Sequence, residues 1–137
     1  MKEITIPFLI ALTAGILYST SLPAQENAKM NVVGTWGGEH VIFDVSKNGA
    51  LLEFDCAHGQ IDQSLILDKK GRFDIRGTFT PEHGGPVRRD EITPSSAARY
   101  SGQVKGDVMT LKVIGVGVDG GIFTLNRGTH PLLRKCR

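Results

Sequence analysis

Along most of the chain apolar residues recur at every second position, and nowhere at the three-to-four-residue spacing of an amphipathic helix. Val41, Phe43 and Val45 are separated by Ile42 and Asp44; Leu52, Phe54 and Cys56 by Glu53 and Asp55; Leu65 and Leu67 follow. Phe73, Ile75 and Phe79 share a run with Arg72, Asp74 and Arg76, and Tyr100 and Val104 flank Gly102 opposite Arg99, Ser101 and Gln103. Met109, Leu111 and Val113 alternate with Thr110 and Lys112, and Phe123 and Leu125 with Thr124 and Asn126. Successive side chains of a strand point to opposite faces, so each run buries one face and wets the other.

Turn formers punctuate the runs: Lys47-Asn48-Gly49, Asp68-Lys69-Lys70-Gly71, Lys105-Gly106-Asp107 and Asp119-Gly120-Gly121. Glycine and asparagine supply the positive φ that tight hairpins demand. The pattern predicts an all-β fold, a small antiparallel barrel or sandwich of seven or eight strands. The one place for a turn or two of helix is residues 94–99, around Ser95-Ser96-Ala97-Ala98. The connection from Thr80 to Ala97 is out of scale, with Pro81, Pro86 and Pro94 and the string Pro81-Glu82-His83-Gly84-Gly85-Pro86. Loops of that length in compact domains are functional or disordered, and both readings stay open.

The amino-terminal end follows another rule. Lys2 precedes an apolar stretch over residues 6–18, and Ser19-Thr20-Ser21-Leu22-Pro23-Ala24 is small and turn-forming. That order predicts a secretory signal peptide over residues 1–24, cut after Ala24, with Ser21 as the alternative. The apolar stretch, broken by Pro7 and Gly15, falls short of the ~20 residues of a membrane span. Residues 25–31 are a polar leader and residues 32–137 a single domain, since 137 residues in all allow one modest core. The expected location is the periplasm or the outside of the cell, with no stable membrane span after cleavage. A net charge of +2 makes no case for a nucleic-acid partner. Lys69-Lys70 and Arg88-Arg89 sit in apparent turns and read as solvated surface, and Arg134, Lys135 and Arg137 form a third basic cluster.

The two cysteines, Cys56 and Cys136, predict a disulfide in an oxidising compartment. A metal-ligating Cys56 beside His58 is the competing reading.

Two resemblances add to this. Gly34-Thr35-Trp36 near the start of the domain, with Arg127 on the last strand, resembles the pattern of calycins, the lipocalins and avidins. The likeness implies a barrel with Arg127 stacked on Trp36 at one end. The strings Trp36-Gly37-Gly38-Glu39-His40, Phe54-Asp55-Cys56-Ala57-His58-Gly59, Gly71-Arg72-Phe73-Asp74, Glu82-His83-Gly84-Gly85-Pro86, Ala98-Arg99-Tyr100-Ser101-Gly102 and Lys135-Cys136 resemble a group of small secreted bacterial proteins. That likeness implies export and a bacterial origin, and no activity.

For chemistry, three histidines stand out. With His58 ending a strand on the face of Phe54 and Cys56, His40 re-aimed by a bulge after Gly37-Gly38, and His83 in the long loop, the imidazoles could meet on zinc, with Glu39, Glu82 or water completing the shell. Separate structural histidines are the plainer reading. Cys56 and His58 as a thiol nucleophile and base conflict with an oxidised Cys56. Asp44, Glu53, Asp55 and Asp74 alternate with apolar residues, so they read as a solvated face and not a catalytic carboxylate pair. No catalytic residue is assigned. The aromatic side chains are too few to fill a barrel and line a generous pocket, so the interior is expected to be packed with a shallow mouth. The favoured function is a non-enzymatic binding module for a small ligand or a protein, using that mouth and a loop with Glu82, His83, Arg88 and Arg89. The alternatives are a metal protein built on His40, His58 and His83, and a periplasmic protease inhibitor.

Overall fold

In a computed structural model, residues 32–115 and 121–136 are described. The expected signal peptide and leader, and most of the Asp119-Gly120-Gly121 turn, lie outside them. Eight strands follow in order: β1 (Gly34–Gly38), β2 (Val41–Val45), β3 (Ala50–Phe54), β4 (Ala57–Ile61), β5 (Arg72–Pro81), β6 (Ser96–Lys105), β7 (Val108–Gly115) and β8 (Ile122–Arg127). Each pairs antiparallel with the next, and β8 returns to β1 through Trp36 opposite Arg127 and Gly37 opposite Asn126. The molecule is therefore a closed up-and-down barrel and not a sandwich, and closure leaves no strand edge open to pairing.

Two-residue turns set the register, with Gly38 opposite Val41, Phe54 opposite Ala57 and Lys105 opposite Val108. Connections after β1, β3 and β5 lie at one end of the barrel, hereafter the loop end. Those after β2, β4 and β6 lie at the far end. Inward side chains fill the barrel: Trp36, Phe43, Tyr100, Met109, Leu111 and Leu125 are wholly buried. Towards the loop end Phe54 packs against Phe79 and Phe123 at ring separations of 5.6 and 5.7 Å.

Three local expectations are corrected. Leu52-Phe54-Cys56 is not one strand, because β3 stops at Phe54 and Asp55-Cys56 forms the turn into β4. The inward residues of β4 are Ala57, Gly59 and Ile61, so His58 points outward and does not share the face of Phe54. The sequence hides β4 because its inward positions are small: a Cβ on Gly59 would stand 2.2 Å from the Tyr100 hydroxyl. Tyr100 fills that space and donates a hydrogen bond to the carbonyl of Thr78 at 2.6 Å; burial pushes its pKa up to about 12. Leu65 and Leu67 belong to no strand. They turn towards the core from the connection between β4 and β5, and alternation reports one-sided burial whether or not a ladder forms. Residues 94–99, the place kept for a helical turn, run into β6, and no helix occurs among the described residues.

Candidate functional site

The loop end gathers most of the side chains that carry chemistry. His40 occupies the second position of the β1–β2 turn with φ 68, a left-handed conformation uncommon outside glycine, though histidine is among the residues that adopt it most readily. Its Nδ1 lies 2.5 Å from Asp55 Oδ2 in the β3–β4 turn, and its Nε2 3.3 Å from Glu39. The other oxygen of Asp55 accepts the backbone N–H of Arg134 at 2.9 Å. That backbone bond first, and His40 second, hold the Asp55 carboxyl below its usual range.

Asp55 thus joins the β1–β2 turn to the carboxy-terminal tail. The tail is fastened there by the Cys56–Cys136 disulfide, with Cα atoms 5.1 Å apart, and by Cys136 N–H donating to the Asp55 carbonyl at 3.3 Å. Cys56 is consequently neither a thiolate ligand nor a nucleophile. The tail passes over the outside of β1, which only a glycine permits: a Cβ on Gly37 would stand 2.0 Å from the carbonyl oxygen of Thr129.

A second group surrounds Lys135. Its ammonium donates to Glu53 at 2.7 Å, to the Phe54 carbonyl at 2.9 Å and to Glu82 at 3.4 Å. Glu82 also lies 3.0 Å from His58 Nδ1. Partial burial works against the Glu82 carboxylate, but His58 and Lys135 outweigh it and its pKa falls. Burial likewise opposes the charge on Lys135, and Glu53 and Glu82 more than restore it.

The long connection, residues 82–95, is pinned to this group. Glu82 N–H donates to the Cys56 carbonyl at 2.8 Å, and the Thr80 and Ser95 hydroxyls bond at 2.5 Å across its base. Within it His83 Nδ1 donates to the Gly84 carbonyl at 2.9 Å and Nε2 meets Glu91. A carbonyl on one nitrogen and a carboxylate on the other favour the doubly protonated ring, so the pKa of His83 is raised, by Gly84 first and Glu91 next. Glu91 is lowered by His83 and by the Arg88 N–H. Arg88 and Arg89 are exposed in a turn closed by Glu91 N–H donating to the Arg88 carbonyl at 3.1 Å.

The three histidines therefore share one end of the barrel, but each faces a different carboxylate. Among the described residues no three His, Cys, Asp or Glu side chains gather so as to hold a metal ion. Of the carboxylates read as a solvated face, Asp44, Glu53 and Asp74 are exposed on strands, bonded to Thr35, Lys135 and Arg99 respectively. Trp36 and Arg127 stand at the far end, with the guanidinium carbon 4.2 Å from the ring centroid. Trp36 Nε1–H donates to the Val32 carbonyl at 2.8 Å, and Arg127 reaches Asp107 at 3.2 Å. This pair closes the barrel and takes no part in the loop end. Sequence reasoning missed Lys135 as the centre of an ionic group. The signal was its place beside Cys136, since a disulfide brings its neighbours along.

The pinned loop should respond to pH on both sides. His83 has a raised folded-state pKa, so its contribution is full below the unfolded value of ~6.5 and is lost as pH rises through the folded value. Glu82 and Glu91 have lowered values, so theirs is full above the unfolded ~4.5 and is lost as pH falls through the folded values. Amide exchange of residues 82–95, corrected for intrinsic rates, should be slowest between those limits. In His83→Asn the alkaline acceleration should vanish, and the acid arm should shrink to the share set by Glu82, because His83 is the main cause of the lowered Glu91. An unchanged alkaline arm would refute the role of His83.

No protein-family model, curated protein or solved structure matches this chain.

Proposed function

We propose that the protein is an exported, non-enzymatic binding module that takes its partner on the loop-end rim, with Glu82, His83, Arg88 and Arg89 presented by residues 82–95. The observation that carries this reading is a loop exposed at almost every position and yet fastened at its base, to the disulfide turn and across its own middle. Fastening removes in advance much of the ordering cost that a free loop meets on binding. The packed interior supports the same reading, since the wholly buried Trp36, Phe43 and Tyr100 occupy the space a guest inside the barrel would need. The metal reading has less support, because each imidazole is already engaged by its own carboxylate.

The test is selection of peptides from a displayed library on the oxidised protein, followed by affinity measurement on a variant with residues 84–93 replaced by a Gly-Ser segment. Selected peptides should bind the parent and lose about tenfold or more on the variant, the weight of one well-placed group. Equal binding to both, or no selectable binder, would overturn the assignment of this loop.

A further inference from the structure

The outer wall of the barrel is electrically two-sided. Strands β1–β4 carry only the carboxylates Asp44 and Glu53 and no Lys or Arg, and Lys135 from the tail pairs with Glu53, so this side is close to neutral. Strands β5–β7 carry Arg72, Arg76, Arg99, Lys105 and Lys112 against Asp74 alone. A net charge of +2 conceals this separation.

On the positive wall the register places Arg76 directly opposite Arg99, a like-charge pair on one face that costs stability unless something compensates it. Arg99 is clamped by both oxygens of Asp74 at 2.5 Å, which fixes its guanidinium in place. Arg76 and Lys112 are exposed and make no ion pair among the described residues.

The same face is apolar where these cations stand. Ile114 lies opposite Arg99 and Ile122 opposite Lys112, and these isoleucines are 44% and 70% exposed. Each isoleucine therefore has a cation as its cross-strand neighbour, at the end of the wall nearest the loop. Residues 82–95 leave from that end and add exposed Val87 and Ile92 beside Arg88 and Arg89.

Exposed aliphatic side chains set among cations suit a surface that offers negative charge with hydrocarbon beneath it. A dissolved polyanion would satisfy the arginines and leave the isoleucines in water. We infer that the β5–β8 wall, through Arg76, Arg99, Lys112, Ile114 and Ile122, docks the barrel on an anionic lipid surface. The β1–β4 wall, which carries no Lys or Arg on its strands and whose Glu53 is already paired with Lys135, then faces away. This goes beyond the loop-end reading and uses residues outside the Gly-Ser replacement, so either can fail without the other.

The test is co-sedimentation of the oxidised protein, without its first 24 residues, with phosphatidylglycerol-containing vesicles and with pure phosphatidylcholine vesicles. Binding is expected to the anionic vesicles alone, and to fall steeply as salt is raised. Each surface cation contributes roughly fivefold to such partitioning, so Arg76→Gln with Lys112→Gln should weaken it about 25-fold. Ile122→Ser should weaken it further at unchanged net charge. Arg76→Gln also relieves the repulsion with Arg99, so the variant is expected to fold, with an unchanged far-ultraviolet spectrum. No binding to anionic vesicles, equal binding by parent and double variant, or retention on heparin without vesicle binding would each overturn the proposal. The last outcome would assign the wall to a soluble polyanion instead.

Discussion

Replacing Cys56 and Cys136 together by serine should lower the unfolding free energy by about 2–4 kcal/mol, read as a lower urea midpoint with a steeper dependence on denaturant. The disulfide spans a sequence separation of 80. Cross-linking so long a segment removes ~4.5 kcal/mol of chain entropy from the unfolded ensemble in the simplest treatment, which sets the upper limit. The loss should fall short of that limit because the uncrosslinked tail recovers freedom in the native state too. The slope should increase because an uncrosslinked unfolded chain exposes more surface. Local consequences follow from what the tail carries. Without the bridge, Arg134 N–H leaves Asp55 and the Lys135 ammonium leaves Glu53 and Glu82, so residues 82–95 lose part of their fastening. Amide exchange in that loop should accelerate before the barrel unfolds. An unchanged midpoint would show that the tail adds nothing to the stability of the barrel.

Trp36→Ala should be the most damaging single substitution, at about 3–5 kcal/mol, the range for emptying a large aromatic site in a core. Trp36 is wholly buried, and its loss would also orphan the Val32 carbonyl that accepts its N–H. Arg127→Ala removes the other half of the stack and should cost only ~1 kcal/mol, because a cation over a ring at a partly exposed site contributes about 0.5–1 kcal/mol. The contrast separates two accounts of the far end. If burial dominates, the two variants differ severalfold; if the stack dominates, they are alike. Urea unfolding followed by circular dichroism decides it, since Trp36 is the sole tryptophan and fluorescence is lost with it.

The β strands on which these predictions rest differ in how plainly the chain announces them. β2, β5, β6, β7 and β8 were legible because each holds at least two large apolar residues at alternate inward positions with polar residues between most of them, as in Met109-Thr110-Leu111-Lys112-Val113. β4 was not, because a barrel must leave room for Tyr100, and Ala57 and Gly59 provide it by being small. A pattern of hydrophobicity cannot register a pattern of size. Leu65 and Leu67 erred in the opposite direction, burying apolar side chains without joining the ladder.

The candidate site divides in the same way. The sequence by itself determined an all-β chain and a crosslink from the cysteine count, because alternation and cysteine number are local or countable properties; the stacking of Arg127 on Trp36 was implied by the resemblance to calycins. Only the tertiary structure decided closure of the sheet, and the pairing of His40 with Asp55, His58 with Glu82 and His83 with Glu91. It also decided the union of Lys135 with Glu53, and the setting of Arg76 against Arg99 on one wall. These depend on register between strands distant in sequence. A shift of one residue turns every side chain of a strand to the other face, so neighbours across the sheet are fixed by the folded whole and by no segment of it alone.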